Sequence, residues 1–190
     1  MSSPVSRHAV RLCCPRLCYL RLFYVLVAAA VLVADRLSKV YVRAHVALNY
    51  GNRPVIPNLF SITHVENTGA AFSLLADWPE RLRVPLLVGF SACALLVLGW
   101  LLWSSMRRFS WSGLALALIF GGAAGNLYDR LRYGRVTDFL HFHIGVHAWP
   151  DFNLADSSIV CGAILLGLTM LFEGKGSDDR GSNGSGARES

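Results

Sequence analysis

Asp138 and Asp156 are the two residues whose type and position best suit catalysis. Asp138 lies in VTDFLHFHI, which alternates like a strand, and Asp156 directly precedes an apolar run. Two carboxylates brought together cannot both ionise easily, so one holds a proton while the other acts as a base. Such a pair could activate water against an amide. Each aspartate also has a structural interpretation: Asp138 as a solvated strand residue, and Asp156 as a first-turn helix carboxylate behind the cap residue Asn153.

Two further acidic residues, Asp35 and Asp129, stand towards the ends of apolar segments. Ionisable groups in such places are costly and usually face a bundle interior or a water-filled cavity. Lys39 follows Asp35 by four residues, so the two share one helix face. Asp129 ends a row in which Gly121 and Gly125 recur at four-residue intervals. This glycine row either packs helix against helix or lets another backbone approach closely.

The elements that must position these residues are predicted to be membrane-spanning helices. The 190 residues are 54% hydrophobic and 16% charged, which excludes a chain that is disordered throughout and is unlike an ordinary soluble domain. A helix needs about 20 apolar residues to cross a bilayer. Three apolar runs meet or approach that length: Val84–Trp103, Trp111–Tyr128 and Ser157–Phe172. A fourth, Leu22–Ala34, has only 13 residues, but the helical spacing of Asp35 and Lys39 extends it to a predicted helix of about Leu20–Ala44.

Strand-like segments lie in the two connections that follow the first and third helices. Residues Leu59–Val65 alternate apolar and polar side chains, and ENTGAAFSLL then predicts a turn and a second short strand. The connection Leu131–Leu154 contains the alternating segment around Asp138. The predicted fold class is therefore an all-α membrane protein with four transmembrane helices and a small β element on the membrane surface. Residues 1–19 form a basic N-terminal tail, 20–172 the transmembrane domain, and 173–190 a Gly/Ser-rich disordered tail.

Four spans place both termini on one side of the membrane, but the charge count does not decide which side. The 18 basic residues divide equally between the two sides. The first helix usually dominates orientation, and four arginines and no acidic residue precede it. The short turn SMRRFS between the second and third spans adds two more arginines. We therefore expect both termini in the cytoplasm.

Three other classes of function are compatible with parts of this pattern. A transporter or proton channel would also use Asp35, Asp129 and Asp156, but the chain has four spans and no internal repeat. A zinc hydrolase could use four residues that lack a helical H-E-x-x-H frame, namely His141, His143, His147 and Asp151. A non-enzymatic assembly protein is the third alternative. We expect no metal, no cofactor and no nucleic-acid partner.

Several segments together resemble the signature blocks of bacterial lipoprotein signal peptidase, signal peptidase II. They are NTGAAFS (residues 67–73), GGAAGNLYDR followed by GRVTDF (residues 121–139), and FNLADS (residues 152–157), preceded by the D-x-x-x-K of Asp35 and Lys39. Their order and spacing match over about Leu20–Phe172. The resemblance implies an aspartic endopeptidase of the bacterial inner membrane, with a periplasmic β-cradle and cytoplasmic termini. Such an enzyme cleaves prolipoprotein signal peptides before a cysteine that carries diacylglycerol.

Carried over position by position, the resemblance assigns Asp138 and Asp156 as the catalytic pair. It assigns substrate-positioning or dyad-supporting roles to four polar residues, namely Asn67, Asn126, Arg130 and Asn153. Asp35 and Lys39 match a pair in the first helix, and Asp129 matches the partner of Arg130. The implied partners are diacylglyceryl-modified prolipoproteins and membrane lipids. The cysteine-containing head and the polar tail lie outside the matched segments, and the sequence does not indicate an oligomeric state.

Overall fold

A computed structural model describes residues 15–49, 53–69, 78–106, 108–145 and 147–182 of the chain. These residues form four helices, α1 (Pro15–His45), α2 (Glu80–Ser105), α3 (Trp111–Tyr133) and α4 (Leu154–Ser182). They also form four strands, β1 (Arg53–Ile56), β2 (Phe60–Asn67), β3 (Val136–Ile144) and β4 (His147–Ala148). Each helix contains a stretch long and apolar enough to cross a membrane, which confirms the four predicted spans.

The helices extend further than the apolar runs that predicted them. Helix α2 begins at Glu80, before the charge-free run that starts at Val84, because charged side chains at a membrane boundary do not interrupt backbone hydrogen bonding. Helix α4 continues through residues 173–182, which the sequence predicts as part of a disordered tail. Extending an existing helix costs far less than nucleating one, so the Gly/Ser-rich composition does not end it there. Residues 1–14 and 183–190 of the two predicted tails lie outside the described residues.

Helix α3 packs against the other three helices and forms the centre of the bundle. Its glycine row makes this packing possible. A Cβ atom at Gly121 would lie 2.6 Å from the backbone oxygen of Ala28 in α1, and one at Gly122 would lie 2.4 Å from the backbone oxygen of Ala155 in α4. The row therefore packs helix against helix, and it leaves no room at these positions for a substrate backbone.

The outward faces of the helices are apolar. Phe90, Leu96 and Trp100 of α2 are 76%, 75% and 70% exposed. Many other large apolar side chains in all four helices are also exposed. Contiguous exposed apolar surface of this extent marks contact with lipid or another apolar partner. The polar residues that the sequence singles out lie instead in the interior, at the end of the bundle where the sheet packs.

The strands form one antiparallel arrangement in the order β1-β2-β3-β4. Strand β2 confirms the segment predicted at Leu59–Val65, and β3 coincides with the alternating segment around Asp138. Strands β1 and β4 were not predicted, because four and two residues are too few to show alternation. The turn and second short strand predicted after Asn67 lie outside the described residues, except for Thr68 and Gly69.

A tight turn at Gly134 connects the central helix to the central strand. Gly134 has a φ of 70°, and its N–H donates to the backbone oxygen of Arg130. This left-handed conformation is the usual helix C-terminal cap and favours glycine. The turn reverses the chain so that β3 begins two residues later, which brings Asp138 back towards the end of α3.

Candidate active site

Asp138 is held on β3 by two asparagine side chains. It is 3% exposed. Asn67, the last residue of β2, donates from Nδ2 to Oδ2 of Asp138 over 3.1 Å. Asn153, just before α4, donates from Nδ2 to Oδ1 over 2.7 Å. The interpretation of Asp138 as a solvated strand residue is therefore wrong, because both of its oxygens are taken up by protein donors.

Asp156 lies in the first turn of α4 and is half-buried. Its Oδ1 accepts from Nδ2 of Asn126 in α3 over 2.7 Å. Asn153 and Asp156 also cap the helix reciprocally. The N–H of Asp156 donates to Oδ1 of Asn153 over 2.9 Å, and the N–H of Asn153 donates to Oδ2 of Asp156 over 3.3 Å. Asp156 thus has the structural role suggested by its position, and Asn153 joins it directly to Asp138.

All three asparagine side chains are oriented in the same way, with the amide oxygen bonded to a protein donor and the NH₂ group directed towards an aspartate. The side-chain oxygen of each accepts a hydrogen bond from a protein donor: Gly69 N–H for Asn67, Lys39 Nζ for Asn126, and Asp156 N–H for Asn153. Their NH₂ groups are therefore free to donate to the two aspartates. Donors held in this way need no reorganisation when charge develops nearby.

The pKa of Asp138 is raised to about 7. Burial of the carboxyl is the largest cause, and the negative charge of Asp156 is the second. The hydrogen bonds from Asn67 and Asn153 act in the opposite direction but do not cancel the rise. Asp138 is therefore protonated in part at neutral pH, unlike an ordinary aspartate, which is the behaviour of the acid member of a carboxylate pair.

Arg130, near the end of α3, interacts electrostatically with both aspartates. Asp156 is its strongest partner and Asp138 the second. Its side chain is half-buried, and its Nε atom is buried without a hydrogen-bond partner among the described residues. The structure thus brings together all six residues assigned to the site or its support: Asn67, Asn126, Arg130, Asp138, Asn153 and Asp156.

Asp35, Lys39 and Asp129 form a fully buried ionic cluster behind this site, each with 0% exposure. Lys39 Nζ lies 2.8 Å from Oδ2 of Asp35 and 2.9 Å from Oδ2 of Asp129. The backbone N–H of Ala155 donates to Oδ1 of Asp35 over 3.0 Å. Because Lys39 also donates to Asn126 over 3.2 Å, the cluster is connected to Asp156 through that amide.

The prediction that Asp129 pairs with Arg130 is wrong. Its carboxylate forms ion pairs with three cations of α1, namely Arg36, Lys39 and Arg43, the last at 3.1 Å. Asp129 ranks only third among the charges that act on Arg130. Neighbouring residues on a helix point in directions about 100° apart, so two consecutive side chains do not face each other.

Several polar residues beside the site were missed from the sequence. Arg36 and Arg43 reach Asp129, and Arg43 also contacts Glu66 and Thr137 of the sheet. A signal for Arg43 was present: Asp35, Lys39 and Arg43 recur every four residues and so form one charged row along α1. Glu66 and Thr137 gave no such signal, since each is a single polar residue in a short strand.

The four residues considered for a zinc site do not form one. His141 Nδ1 lies 2.9 Å from Oδ1 of Asp151, and Thr63 donates to the same oxygen over 2.9 Å. His147 lies in β4, where its side chain is exposed. Among the residues that the structure describes, no group of three or more His, Cys, Asp or Glu side chains is arranged to hold a metal ion.

Four apolar helices and two aspartates that Asn153 joins at the end of the bundle, one buried and one half-buried, define a polytopic membrane protein with a paired-carboxylate site. A family model described as signal peptidase (SPase) II matches residues 27–172. The chain therefore belongs to the signal peptidase II family of peptidases. The matched range contains every residue of the site described above.

Individual relatives agree with this family. The chain is 40% identical over 145 residues to the lipoprotein signal peptidase of Solibacter usitatus (strain Ellin6076), covering 76% of this chain and 88% of that one. It is 42% identical over 164 residues to the lipoprotein signal peptidase of Xanthomonas campestris pv. campestris (strain 8004), covering 84% and 95%.

Two solved structures have the same fold, and both are described as bacterial membrane enzymes solved by the in meso method. The one at 2.3 Å resolution has a TM-score of 0.70 and 26% identity, covering 88% of this chain and 94% of that one. The one at 1.9 Å has a TM-score of 0.68 and 28% identity, covering 78% and 92%. The chain is a multi-pass bacterial membrane protein.

Proposed function

We propose that this protein is an aspartic endopeptidase that cleaves signal peptides from prolipoproteins, just before the diacylglyceryl-modified cysteine. Family membership supports the substrate class. The observation that carries the assignment of the site is the joining of Asp138 and Asp156 through one residue, Asn153, in a place where the pKa of Asp138 is about 7. A buried acid beside a second carboxylate is the requirement for acid–base attack of water on an amide.

In the proposed mechanism Asp156 is the base and Asp138 the acid. The carboxylate of Asp156 takes a proton from a water molecule, whose oxygen attacks the carbonyl carbon of the scissile amide. Protonated Asp138 donates its proton to the carbonyl oxygen as charge develops there. The C–N bond of the tetrahedral intermediate then breaks as the proton held by Asp156 passes to the leaving amine, and Asp138 takes its proton back from the hydroxyl group. The three asparagine amides hold the two carboxyl groups in place throughout.

The supporting residues divide into two groups in this proposal. Arg130 and Asn67 lie next to the aspartates and would position the extended peptide of the substrate. Asp35, Lys39 and Asp129 lie behind them and act through Asn126, because the Lys39 ammonium holds its amide oxygen and so directs its NH₂ towards Asp156. Positioning of this kind is usually a large part of catalysis.

The membrane location fits a substrate whose acyl chains stay in lipid. With its lipid in the bilayer, the prolipoprotein is held at the membrane surface, which removes much of the cost of bringing peptide and aspartates together. We place the protein in the bacterial inner membrane, with the sheet and the two aspartates near the periplasmic face and both termini in the cytoplasm.

The test is cleavage of a prolipoprotein by the purified protein in detergent, with and without the diacylglyceryl group at equal concentration. We expect cleavage of the lipidated form only. Asp138→Asn and Asp156→Asn should each abolish it while leaving a folded protein, because the two carboxyls act as a unit. Asp179→Asn, outside the matched residues, is the matched control and should cleave normally. Equal cleavage of both substrates, or full activity of either dyad variant, would contradict the proposal.

A further inference from the structure

Three polar side chains meet on the face of the sheet opposite to Asp138. Successive strand residues point to opposite faces, so Thr137 and Asp138 project in opposite directions, as do Glu66 and Asn67. Glu66 and Thr137 are register partners across β2 and β3. Thr137 is completely buried, and the Glu66 side chain is 15% exposed. The two residues that precede Asn67 and Asp138 in their strands therefore lie together beneath the site.

Arg43, from the last turn of α1, joins this pair. Its Nε donates to Oγ1 of Thr137 over 2.8 Å, and the Thr137 hydroxyl donates to Oε1 of Glu66 over 3.2 Å. Arg43 Nε also lies 3.9 Å from Oε1 of Glu66. We call these three residues the Arg43 clamp. Glu66 has two further charged or titratable neighbours, His64 at 3.2 Å and Arg135 at 3.4 Å.

The Arg43 clamp holds a short end of the β2–β3 ladder that an irregularity separates from the rest. The pairing of β2 with β3 is irregular between Ile62 and Val65, and only three register pairs follow: Val65 with Asp138, Glu66 with Thr137, and Asn67 with Val136. Strand β2 ends at Asn67 and β3 begins at Val136. Short ladder ends open readily, so these three pairs alone are a weak support for Asp138 and Asn67.

The other end of Arg43 is fixed to the helix bundle. Its Nη2 lies 3.1 Å from Oδ1 of Asp129, and its guanidinium stacks over the ring of Tyr133 with 4.1 Å between its Cζ and the ring centroid. Both partners belong to α3. Arg43 therefore ties the ends of two strands to α3, the helix that carries Asn126 and Arg130. A planar guanidinium presents its donors in a rigid fork, whereas the lysine ammonium is a point charge on a flexible side chain.

We infer that the Arg43 clamp positions Asp138 and Asn67 for catalysis, and that Arg43, Thr137 and Glu66 are positioning residues of this enzyme. The inference rests on the proposed function. The clamp residues touch neither the substrate nor the reacting carboxyl groups; they act by fixing the backbone of the residues on either side of the Asn67–Asp138 hydrogen bond. Loss of the clamp should lengthen that bond and displace Asp138 relative to Asp156.

The test is steady-state cleavage of lipidated prolipoprotein by Thr137→Val, which removes the hydroxyl at nearly constant volume. We expect kcat to fall roughly tenfold with KM within about twofold of the wild type, since displacements below 1 Å are enough to slow such reactions. Because the Asn67 hydrogen bond lowers the pKa of Asp138, weakening it should also move the high-pH limb of the kcat profile to higher pH. A loss of folded protein alone would not move that limb.

Three further variants make the result decisive. Thr137→Ser restores the hydroxyl and should restore both kcat and the pH limb. Thr169→Val, which removes a buried hydroxyl bonded to Ser112 at 3.2 Å in the α3–α4 interface, is the matched control and should leave the profile unchanged. Arg43→Lys keeps a cation for Asp129 but loses Nε–H. It should show the same fall in kcat and the same shift of the high-pH limb as Thr137→Val, and it provides the test if Thr137→Val does not fold.

The outcomes separate this inference from the proposed function. Wild-type cleavage together with an unchanged kcat and pH limb in Thr137→Val and Arg43→Lys would overturn the clamp alone. A fall in kcat without a shift of the limb, not restored by Thr137→Ser, would also overturn it, since that is loss of active protein. No cleavage by the wild-type protein would overturn the proposed function, and the role of the clamp with it.

Discussion

Asn153 is the residue on which the geometry of both aspartates depends. Its NH₂ donates to Asp138 and its oxygen accepts from the N–H of Asp156, so each half of one amide serves one member of the pair. An aspartate at this position would keep the acceptor and the helix cap. It would lose the donor to Asp138 and add a third carboxylate beside two others.

We therefore predict that Asn153→Asp lowers cleavage at least about 100-fold and also lowers the melting temperature, because the added carboxyl group is fully buried beside two others. Asn153→Ala should lose activity as well, and it should also lose about 1 kcal/mol of stability because the cap is gone. Cleavage assays and thermal unfolding in the same detergent measure the two effects. An active Asn153→Asp enzyme would show that the amide is not needed.

The pH dependence of kcat should report the proton on Asp138. With a pKa of about 7, Asp138 is protonated below that pH and loses its proton above it, so kcat should fall as pH rises through about 7. Asn67→Ala removes a hydrogen bond that lowers this pKa. The high-pH limb should then move to higher pH, and a shift to lower pH would contradict the assignment of Asp138 as the acid.

Metal chelation should leave activity intact. The proposed mechanism needs only the two carboxyls and water, and His141 and Asp151 are hydrogen-bonded to each other in the structure. The measurement is prolipoprotein cleavage before and after incubation with a strong chelator, followed by removal of the chelator. Loss of activity that zinc restores would favour the alternative of a zinc hydrolase that uses three histidines and Asp151.

At the residue scale, sequence motifs predicted which residues meet but not how they are bonded. Asp138, Asp156 and three asparagines were identified because their blocks match a known pattern. The partners of Asp129 were not, since they depend on which face of α1 turns towards α3. Arg43 and Glu66 are 23 residues apart in sequence and contact only because the last turn of α1 lies under the sheet.

Helix α3 is the element whose packing sets the position of Asp156. A Cβ atom at Gly122 would lie 2.4 Å from both the backbone oxygen of Ala155 and the Oγ of Ser158. Backbone cannot rotate away as a side chain can, so α4 would have to move. Because Asn153 and Asp156 begin α4, that movement would reach the site directly.

We predict that Gly122→Ala lowers both stability, by about 1–3 kcal/mol, and cleavage activity. Gly89→Ala in α2 is the matched control, since nothing lies within 4 Å of its added Cβ. This control should be neutral or slightly stabilising, because alanine is the better helix former. Thermal unfolding and cleavage of the two variants test the prediction. Equal behaviour would mean that α3 and α4 are not closely packed at Gly122.

At the element scale, apolar length predicted three of the four helices well, because bilayer thickness sets the length of a spanning helix. The apolar run of α1 was too short by itself, and the helical spacing of Asp35 and Lys39 was needed to extend it. It did not predict their ends. Glu80 and Arg83 belong to α2 although they are charged, since helical hydrogen bonding continues past the apolar run. The irregularity in β2 between Ile62 and Val65 was also not predictable, because it arises from pairing with β3 rather than from β2 itself.

For the whole molecule, the orientation in the membrane can be tested directly, because the four helices and the sheet define which segments should lie on each side. With four spans, we expect residues 20 and 172 to lie on the side of the membrane away from the sheet. Reporters fused at Ser2 and after Gly174 should both indicate cytoplasm, and one fused near Asp77 should indicate periplasm. The basis is the arginine-rich segment before α1. The reverse pattern would place the aspartates at the cytoplasmic face, where the proposed substrate would not be presented.

The ion pair between Asp35 and Lys39 has a consequence for how the protein is made. Both residues belong to α1, which is synthesised before the other three helices, so the lysine enters the bilayer with its counter-ion already four residues away. An isolated charge at the centre of a helix costs about 2.5–3.5 kcal/mol during insertion. Asp129 arrives with α3 and forms ion pairs with Arg36 and Arg43, and the N–H of Ala155 reaches Asp35 only with α4. The order of synthesis is thus the order in which the buried charges acquire their partners.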